Sequence, residues 1–287
     1  MPEWTQPAQW NYPTHITHAS KSSEQIHQQI RQLGAHTPLC VIDSFLLNHP
    51  SVINLIAECK NLQINCALFT DFAGNPTCQQ VQAGQQACSN HQADCIVAIG
   101  GGSALDIAKV IAVTSNCDYS LWDFIDDDTP TPDLTTTQTV PIIAVPTTSG
   151  TGSEVSRAGL ITHSETKDKK ILFHPKMLPS RVICDPELLT TLPANLTAWT
   201  GMDALAHNLE ALCSPRYHPQ ADGIAYEGIR LIKENLLTAT QEPNNISARS
   251  HMMSASLMGA TAFQKGLGAI HSLSHPVGGL YNAHHGL

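Results

Sequence analysis

At 287 residues the chain is long enough for one large domain or two smaller ones, each with a core of its own. Its net charge of −9 leaves no basic stripe to neutralise phosphates, which excludes nucleic acid as a partner. Apolar runs such as residues 95–99 and 142–145 are far too short to cross a bilayer, so no membrane partner is expected either.

Residues 1–15 (MPEWTQPAQWNYPTH) have neither a basic start nor an apolar core and read as no secretory leader. Apolar or β-branched runs at 39–43, 65–70, 95–100, 141–146 and 181–185 read as strands buried on both faces. Helical periodicity fills 51–60, 78–90 and 103–115 between them, and strand–helix alternation implies a parallel sheet covered by helices. The acidic, Thr-rich stretch 117–140 reads as a surface excursion. Beyond Asp185 the pattern turns helical, over 186–213, 220–239 and 246–264, with no strand among them. A boundary near residue 186 is therefore expected, with an α/β domain over 1–186 and an all-helical one over 187–287. Nine cysteines lack CxxC spacing; Cys40, Cys66, Cys95 and Cys184 lie in apolar runs and read as small buried hydrophobes in a reducing cytoplasm. His15, His18, His27, His163 and His218 lie in polar surroundings and read as exposed.

Two loops carry ligand chemistry. CIVAIGGGSALDIAK runs from a buried strand through Gly100, Gly101 and Gly102 into a helix, whose unpaired N–H groups and dipole suit a pyrophosphate. Ser103 followed by Asp106 has the spacing of a capping box. Alone, the segment could equally be a tight turn before a capped structural helix. VPTTSGTGSEVS, at 145–156, also follows a buried strand and is dense in glycines and hydroxyls, and two such loops read as one divided ligand site. A lysine at 169 or 170 could add a cation. The first strand lacks a GxGxxG, yet Asp43 at its end has the position of an acid that reads ribose hydroxyls, or of an ordinary turn residue.

Asp203 and His207 are four apart in a helical pattern and share one face. By themselves they could be a polar helix face. GLGAIHSLSHPVGGLYNAHHG then supplies His271, His275, His284 and His285, and a carboxylate with several imidazoles suits Fe²⁺ or Zn²⁺.

With GGGSALDIAK, PTTSGTGSEVS, DPELLTTLP, TGMDALAHNLEA and GAIHSLSHPVGGLYNAHHG in one order, the chain resembles the iron-containing (group III) alcohol dehydrogenases from about residue 37 to its last residue. The resemblance implies a dehydroquinate-synthase-like fold, an α/β dinucleotide-binding domain followed by an all-α metal-binding domain. It also implies NAD as cofactor and Fe²⁺, Zn²⁺ or another divalent ion as metal. The implied metal ligands are Asp203, His207, His271 and His285, the last preferred to His284 because it directly precedes Gly286. His275 matches the additional histidine beside the nicotinamide, with a proton-handling or positioning role. On the cofactor side the resemblance implies Asp43, Asn75, Gly101, Gly102, Ser103, Thr147, Thr148 and Lys169, with Ser156 and Leu188 as weaker contacts; Asp106 belongs to the same glycine-loop motif.

The implied reaction is hydride transfer between a primary or secondary alcohol and the nicotinamide, an aldehyde or ketone being the other partner. A metal- and NAD-dependent lyase on the same fold is a second reading, and room is left for a homo-oligomer. Two departures stand out. The Gly-containing turn usual before the first helix is replaced by HITHASKSSEQ, and the chain stops two residues after His285, where family members continue through further helices. On that ground the C-terminal helices are taken as missing, the apolar side chains of Ile224, Ile229, Leu231 and Ile232 are expected to lack partners, and a truncated, inactive product is the third reading.

Overall fold

The computed structural model describes residue 12 and residues 14–287, apart from Asp128, Lys167, Asn282 and Ala283. Most of the N-terminal stretch inspected for a leader lies outside them. By contact the chain divides into two units: one of Thr14–Pro146 with Ser156–Asp185, and one that includes Thr147–Val155 and Pro186–Leu287.

The first unit contains β1 (His15–His18), α1 (Ile26–Gln32), β2 (Pro38–Ile42), α2 (Pro50–Asn61), β3 (Ala67–Phe69), α3 (Cys78–Asn90), β4 (Cys95–Gly100), α4 (Gly102–Thr114), β5 (Ile142–Pro146), β6 (Ala158–Thr162), β7 (Lys169–Phe173) and β8 (Arg181–Cys184). Six strands form one all-parallel sheet in the order β1-β8-β5-β4-β2-β3. Every residue of β2, β4 and β5 is buried, which is why these strands read as unbroken apolar runs rather than alternating ones. After β3 the chain crosses back over β2 to enter β4, so the strand order reverses between β2 and β4. In open parallel sheets such a reversal leaves a crevice at the carboxyl ends of the strands, where ligands bind.

Strand β1 was not expected, because its alternating histidines (HITH) mask a strand that completes the sheet against β8. Its anchorage is polar: the buried Asp185 carboxylate accepts hydrogen bonds from Lys21 N (3.0 Å), Ser23 N (3.1 Å) and Ser23 Oγ (2.6 Å). The antiparallel β6–β7 hairpin was also unforeseen. The 117–140 excursion is pinned by the buried Phe124, Leu134 and Val140. His218, expected on the surface, is buried, because its Nδ1 caps the next helix by accepting the Ala221 N–H. Cys40, Cys95 and Cys184 are buried, Cys66 is half-buried, and none of the nine cysteines forms a disulfide.

The second unit holds α5 (Ala194–Cys213), α6 (Pro219–Gln241), α7 (Ile246–Ala262) and α8 (Ala269–Tyr281). Helices α5, α6 and α7 pack on one another through small side chains, Ala204, Ala239, Ala248 and Ala255 among them, with Leu231, Ile232 and Met252 filling the space. The expectation that this apolar stripe lacks partners is corrected for Leu231 and Ile232, which are buried, and for Ile224, which packs on Ala211, Ala221, Ala225 and Ala262. Exposed apolar side chains occur at other positions, on α5 (Met202, Leu209), on α6 (Tyr226, Leu237) and along α8 (Ile270, Leu273, Val277, Tyr281). Arg249, also buried, ties α7 to the start of α5 by donating to Thr197 Oγ1 at 2.7 Å and to the Pro243 carbonyl at 3.2 Å. Among the described residues no helix is long and apolar enough to cross a membrane.

Candidate metal centre and nucleotide loops

Helix α5 presents Asp203 and His207 one turn apart, and α8 brings His271 to the same point. All three side chains are buried, and a ligand atom from each lies within 4.8 Å of the others. Asp203 Oδ1 is the hub: His207 Nε2 stands 3.8 Å from it, His271 Nε2 3.5 Å and His285 Nε2 3.5 Å. Atoms bound tetrahedrally to one ion at roughly 2.0–2.2 Å stand about 3.4 Å apart, so these spacings match a shared ion better than direct pairing. His271 Nε2 is buried without a hydrogen-bond partner, a costly state unless something else engages it.

Each Nδ1 faces away from the hub and is engaged. His207 Nδ1 lies 3.3 Å from the Gly150 carbonyl, His285 Nδ1 lies 3.4 Å from Ser274 Oγ, and His271 Nδ1 meets a Glu210 carboxylate oxygen. That leaves the three Nε2 atoms directed at one point. Burial drives His207 towards the neutral form against the pull of Asp203. Burial, with the neighbouring imidazoles, pushes His285 down to about 4. His271 is the opposite case: burial disfavours its charge, but the carboxylates of Asp203 and Glu210 prevail and raise it. Burial would likewise raise Asp203, yet the surrounding imidazoles hold its carboxyl below the ordinary range. Of these three imidazoles, His271 is thus the one whose protonated form the surroundings favour. His275 is half-buried, with its ring 5.8 Å from that of His271 and 4.9 Å from that of His285. His284 turns away and packs on Trp199, 5.2 Å between ring centres.

Asp43 directly follows β2, its backbone N–H bonded to the Ile99 carbonyl of β4. It therefore flanks the strand-order reversal beside the glycine loop. Gly100 has φ 155°, and a Cβ there would lie 2.6 Å from Ala104 Cβ and 3.3 Å from Asp43 Cβ, so the backbone runs where no side chain fits. The capping-box expectation is corrected. Helix α4 starts at Gly102 with Gly101 as its cap, which puts Ser103 inside the first turn. Ser103 Oγ instead donates to the Gly74 carbonyl, tying the loop that carries Asn75 to the helix start. Asp106 accepts the Leu160 N–H at 3.1 Å and lies 3.3 Å from Lys109 Nζ, so its carboxylate holds the β6–β7 hairpin. Ser156 Oγ caps Ala158 N, and Lys169 opens β7 half-buried, burial lowering its pKa. Thr147, Thr148 and Leu188 belong to the helical unit, so the linear boundary at 186 divides the residues expected on the cofactor side differently from the contacts.

The family described as iron-containing alcohol dehydrogenase matches residues 13–186, and its C-terminal counterpart matches residues 197–287. A 4-hydroxybutyrate dehydrogenase of Cupriavidus necator is 40% identical over 270 residues, covering 94% of this chain and 69% of the relative. The crystal structure of a 1,3-propanediol oxidoreductase superposes with a TM-score of 0.90 at 35% identity, covering 97% of this chain and 72% of that one. Sulfoacetaldehyde reductase from Bifidobacterium kashiwanohense, solved in complex with NAD⁺, gives a TM-score of 0.88 at 29% identity, covering 98% and 73%. This chain belongs to the iron-containing alcohol dehydrogenase family. Like its relatives it is an oxidoreductase, passing hydride between an alcohol and NAD with the help of a divalent metal. The match sets aside the lyase reading that the shared fold had raised. Within this alcohol dehydrogenase, the residue that sequence reasoning passed over is Glu210. It follows Asp203 and His207 at i+7 and i+3 on the same face of α5, and that spacing was the available signal.

Proposed function

We propose that Asp203, His207, His271 and His285 hold the divalent ion of an NAD-linked dehydrogenase for small primary alcohols. The observation that carries this reading is the convergence of three imidazole Nε2 atoms on one buried carboxylate oxygen. The donor set fits Fe²⁺ or Zn²⁺, and the unpartnered His271 Nε2 gains the partner it lacks. An ion held there supplies a Lewis acid towards the oxygen of an alcohol or carbonyl. His207 and His285, driven neutral, offer lone pairs without first shedding a proton. His275, beside the ligands and outside their set, carries the alcohol's proton on an imidazole nitrogen.

On the cofactor side, the Gly101–Gly102–Ser103 backbone at the start of α4 receives the pyrophosphate, where N–H groups and the helix dipole favour an anion. Asp43 accepts hydrogen bonds from the ribose hydroxyls. Asn75, Asp106, Thr147, Thr148, Ser156, Lys169 and Leu188 complete the proposed cofactor contacts. Some relatives are named for methanol, 1-propanol or long-chain alcohols. Three others, one of them the 40% identical enzyme, are named for 4-hydroxybutyrate, 1,3-propanediol and sulfoacetaldehyde, all short and polar at the end remote from the reacting carbon. We assign the same class of substrate here, in the cytoplasm.

The test is direct. The chain is stripped with a chelator and reloaded anaerobically with Fe²⁺ or Zn²⁺, and NADH formation is followed with 1,3-propanediol, 4-hydroxybutyrate and ethanol. Metal-dependent turnover favouring the two bifunctional alcohols supports the proposal. Stoichiometric metal with no NADH from any of them would defeat it.

A further inference from the structure

Glu210 is 5% exposed and spends both carboxylate oxygens on consecutive residues of α8. Oε1 accepts the Ile270 N–H at 2.6 Å, and Oε2 meets His271 Nδ1. Helix α8 begins at Ala269, so the Ile270 N–H is one of the first-turn donors that have no partner within the helix. A carboxylate there both caps the helix and opposes its dipole. The other two imidazoles lean on neutral groups at longer range, a carbonyl at 3.3 Å and a hydroxyl at 3.4 Å. His271 alone is backed by a charge.

We infer that Glu210 is a positioning residue that sets the metal affinity of this site by fixing His271. The inference rests on the proposal that Asp203 and the three histidines hold the ion. Glu210 keeps a proton on Nδ1 and so commits the Nε2 lone pair to the metal. Its charge also makes that imidazole a stronger donor, the arrangement found behind many metal-bound histidines. By anchoring Ile270 in the same grip, it fixes where the first turn of α8 meets α5, and hence where the His271 ring stands. The three functional side chains of α5 thereby divide the work: Asp203 and His207 as ligands, Glu210 holding the third ligand from behind.

The test uses the full chain with Glu210→Gln and Glu210→Ala, each alone and with His271→Ala. Co²⁺ affinity is measured by competition against a chromogenic chelator, with the visible Co²⁺ spectrum and the melting temperature of the metal-free protein. Glutamine can still accept from Ile270 N but cannot back the imidazole with a charge. Glu210→Gln is therefore expected to weaken Co²⁺ binding about 10- to 100-fold, alter the visible spectrum and lower metal-free melting less than Glu210→Ala does. Glu210→Ala should weaken binding further and also lower the melting temperature. Combined with His271→Ala, Glu210→Gln should have almost no added effect on affinity. Wild-type affinity and spectrum in Glu210→Gln, or the full loss recurring in the His271→Ala background, would overturn the inference while leaving the metal proposal intact. A wild-type chain that takes up no Co²⁺ would overturn both.

Discussion

Asp43 gives the sharpest handle on cofactor choice. It is half-buried at the end of β2, and its Oδ1 accepts the Phe45 N–H at 3.1 Å, capping a short 3-10 turn at Ser44–Leu46. Replacement by glycine would remove that cap together with the charge. Asn keeps an acceptor in the same place and removes the charge alone, so Asp43→Asn isolates the electrostatic part. A 2′-phosphate carries close to two negative charges, and at about 4 Å each unit pair costs about 1 kcal/mol in water and more near a protein surface. Half-exposure keeps Asp43 near the watery limit, so the repulsion amounts to about 2 kcal/mol, roughly 30-fold in affinity. Charge-assisted hydrogen bonds to the ribose hydroxyls add about 1.5–3 kcal/mol in favour of NAD. The wild type should therefore prefer NAD by roughly 400- to 5,000-fold in kcat/KM, and Asp43→Asn should raise kcat/KM for NADP roughly 30-fold while lowering that for NAD. Steady-state kinetics with both cofactors, at fixed metal and alcohol, reads the ratio. A wild type that favours NADP, or a ratio unmoved by Asp43→Asn, would refute the role given to Asp43.

Three further outcomes follow from the packing and the electrostatics. Gly152 has φ 58°, and a Cβ there would lie 2.2 Å from Ala260 Cβ and 2.8 Å from the Ser256 carbonyl. Gly152→Ala should therefore destabilise the helical unit by about 2–5 kcal/mol, the left-handed penalty plus overpacking, measured by denaturant unfolding. In the metal-free chain His271 is raised, so its stabilising contribution is complete below its ordinary pKa of about 6.5 and is lost as pH climbs through its folded value. His285, depressed to about 4, acts the other way: as pH falls from about 6.5 to that value the unfolded chain binds a proton that the folded chain refuses, so melting temperature should drop across that window. Because a metal-bound imidazole must be deprotonated and His271 is the histidine whose proton the site favours, metal uptake should release protons, fewer as pH rises, seen by calorimetry in buffers of different ionisation enthalpy.

Much of the architecture was written in local pattern. The strands β2, β4 and β5 announce themselves because burial on both faces demands unbroken apolar runs, and α3 and α4 because they alternate with those strands. What escaped was held by partners distant in sequence. β1 is short, half polar and joined to β8 some 165 residues later, so only the buried Asp185 carboxylate makes sense of it. The β6–β7 hairpin carries Lys169 and Lys170 on a strand that reads as solvated, because its inward groups, Ile161 and Leu172, are few. Asp106 was read as part of a helix start and is in fact the hairpin's anchor, since the helix begins one residue earlier than the glycine run suggested.

At the candidate metal centre, residue type and spacing pointed to Asp203, His207 and a cluster of C-terminal histidines, and the family resemblance singled out His271 and His285 among them, whereas the groups behind them were not legible. His207 leans on the Gly150 carbonyl, which lies in the loop Thr147–Val155 between β5 and β6, yet that loop belongs by contact to the helical unit. A boundary drawn along the sequence assigns it to the sheet, because its neighbours on both sides are strands. The physical division follows packing: Gly152 sits against Ala260 of α7 too closely for any side chain, and Gly150 receives an imidazole from α5. One loop thus carries Thr147 and Thr148, assigned to the cofactor, and the carbonyl that orients a metal ligand. On the proposed assignments this one stretch of backbone would serve both cofactor and metal, and a substitution that shifts the 150–152 turn should disturb His207, whose Nδ1 meets the Gly150 carbonyl, before it disturbs the glycine loop at Gly100–Ser103.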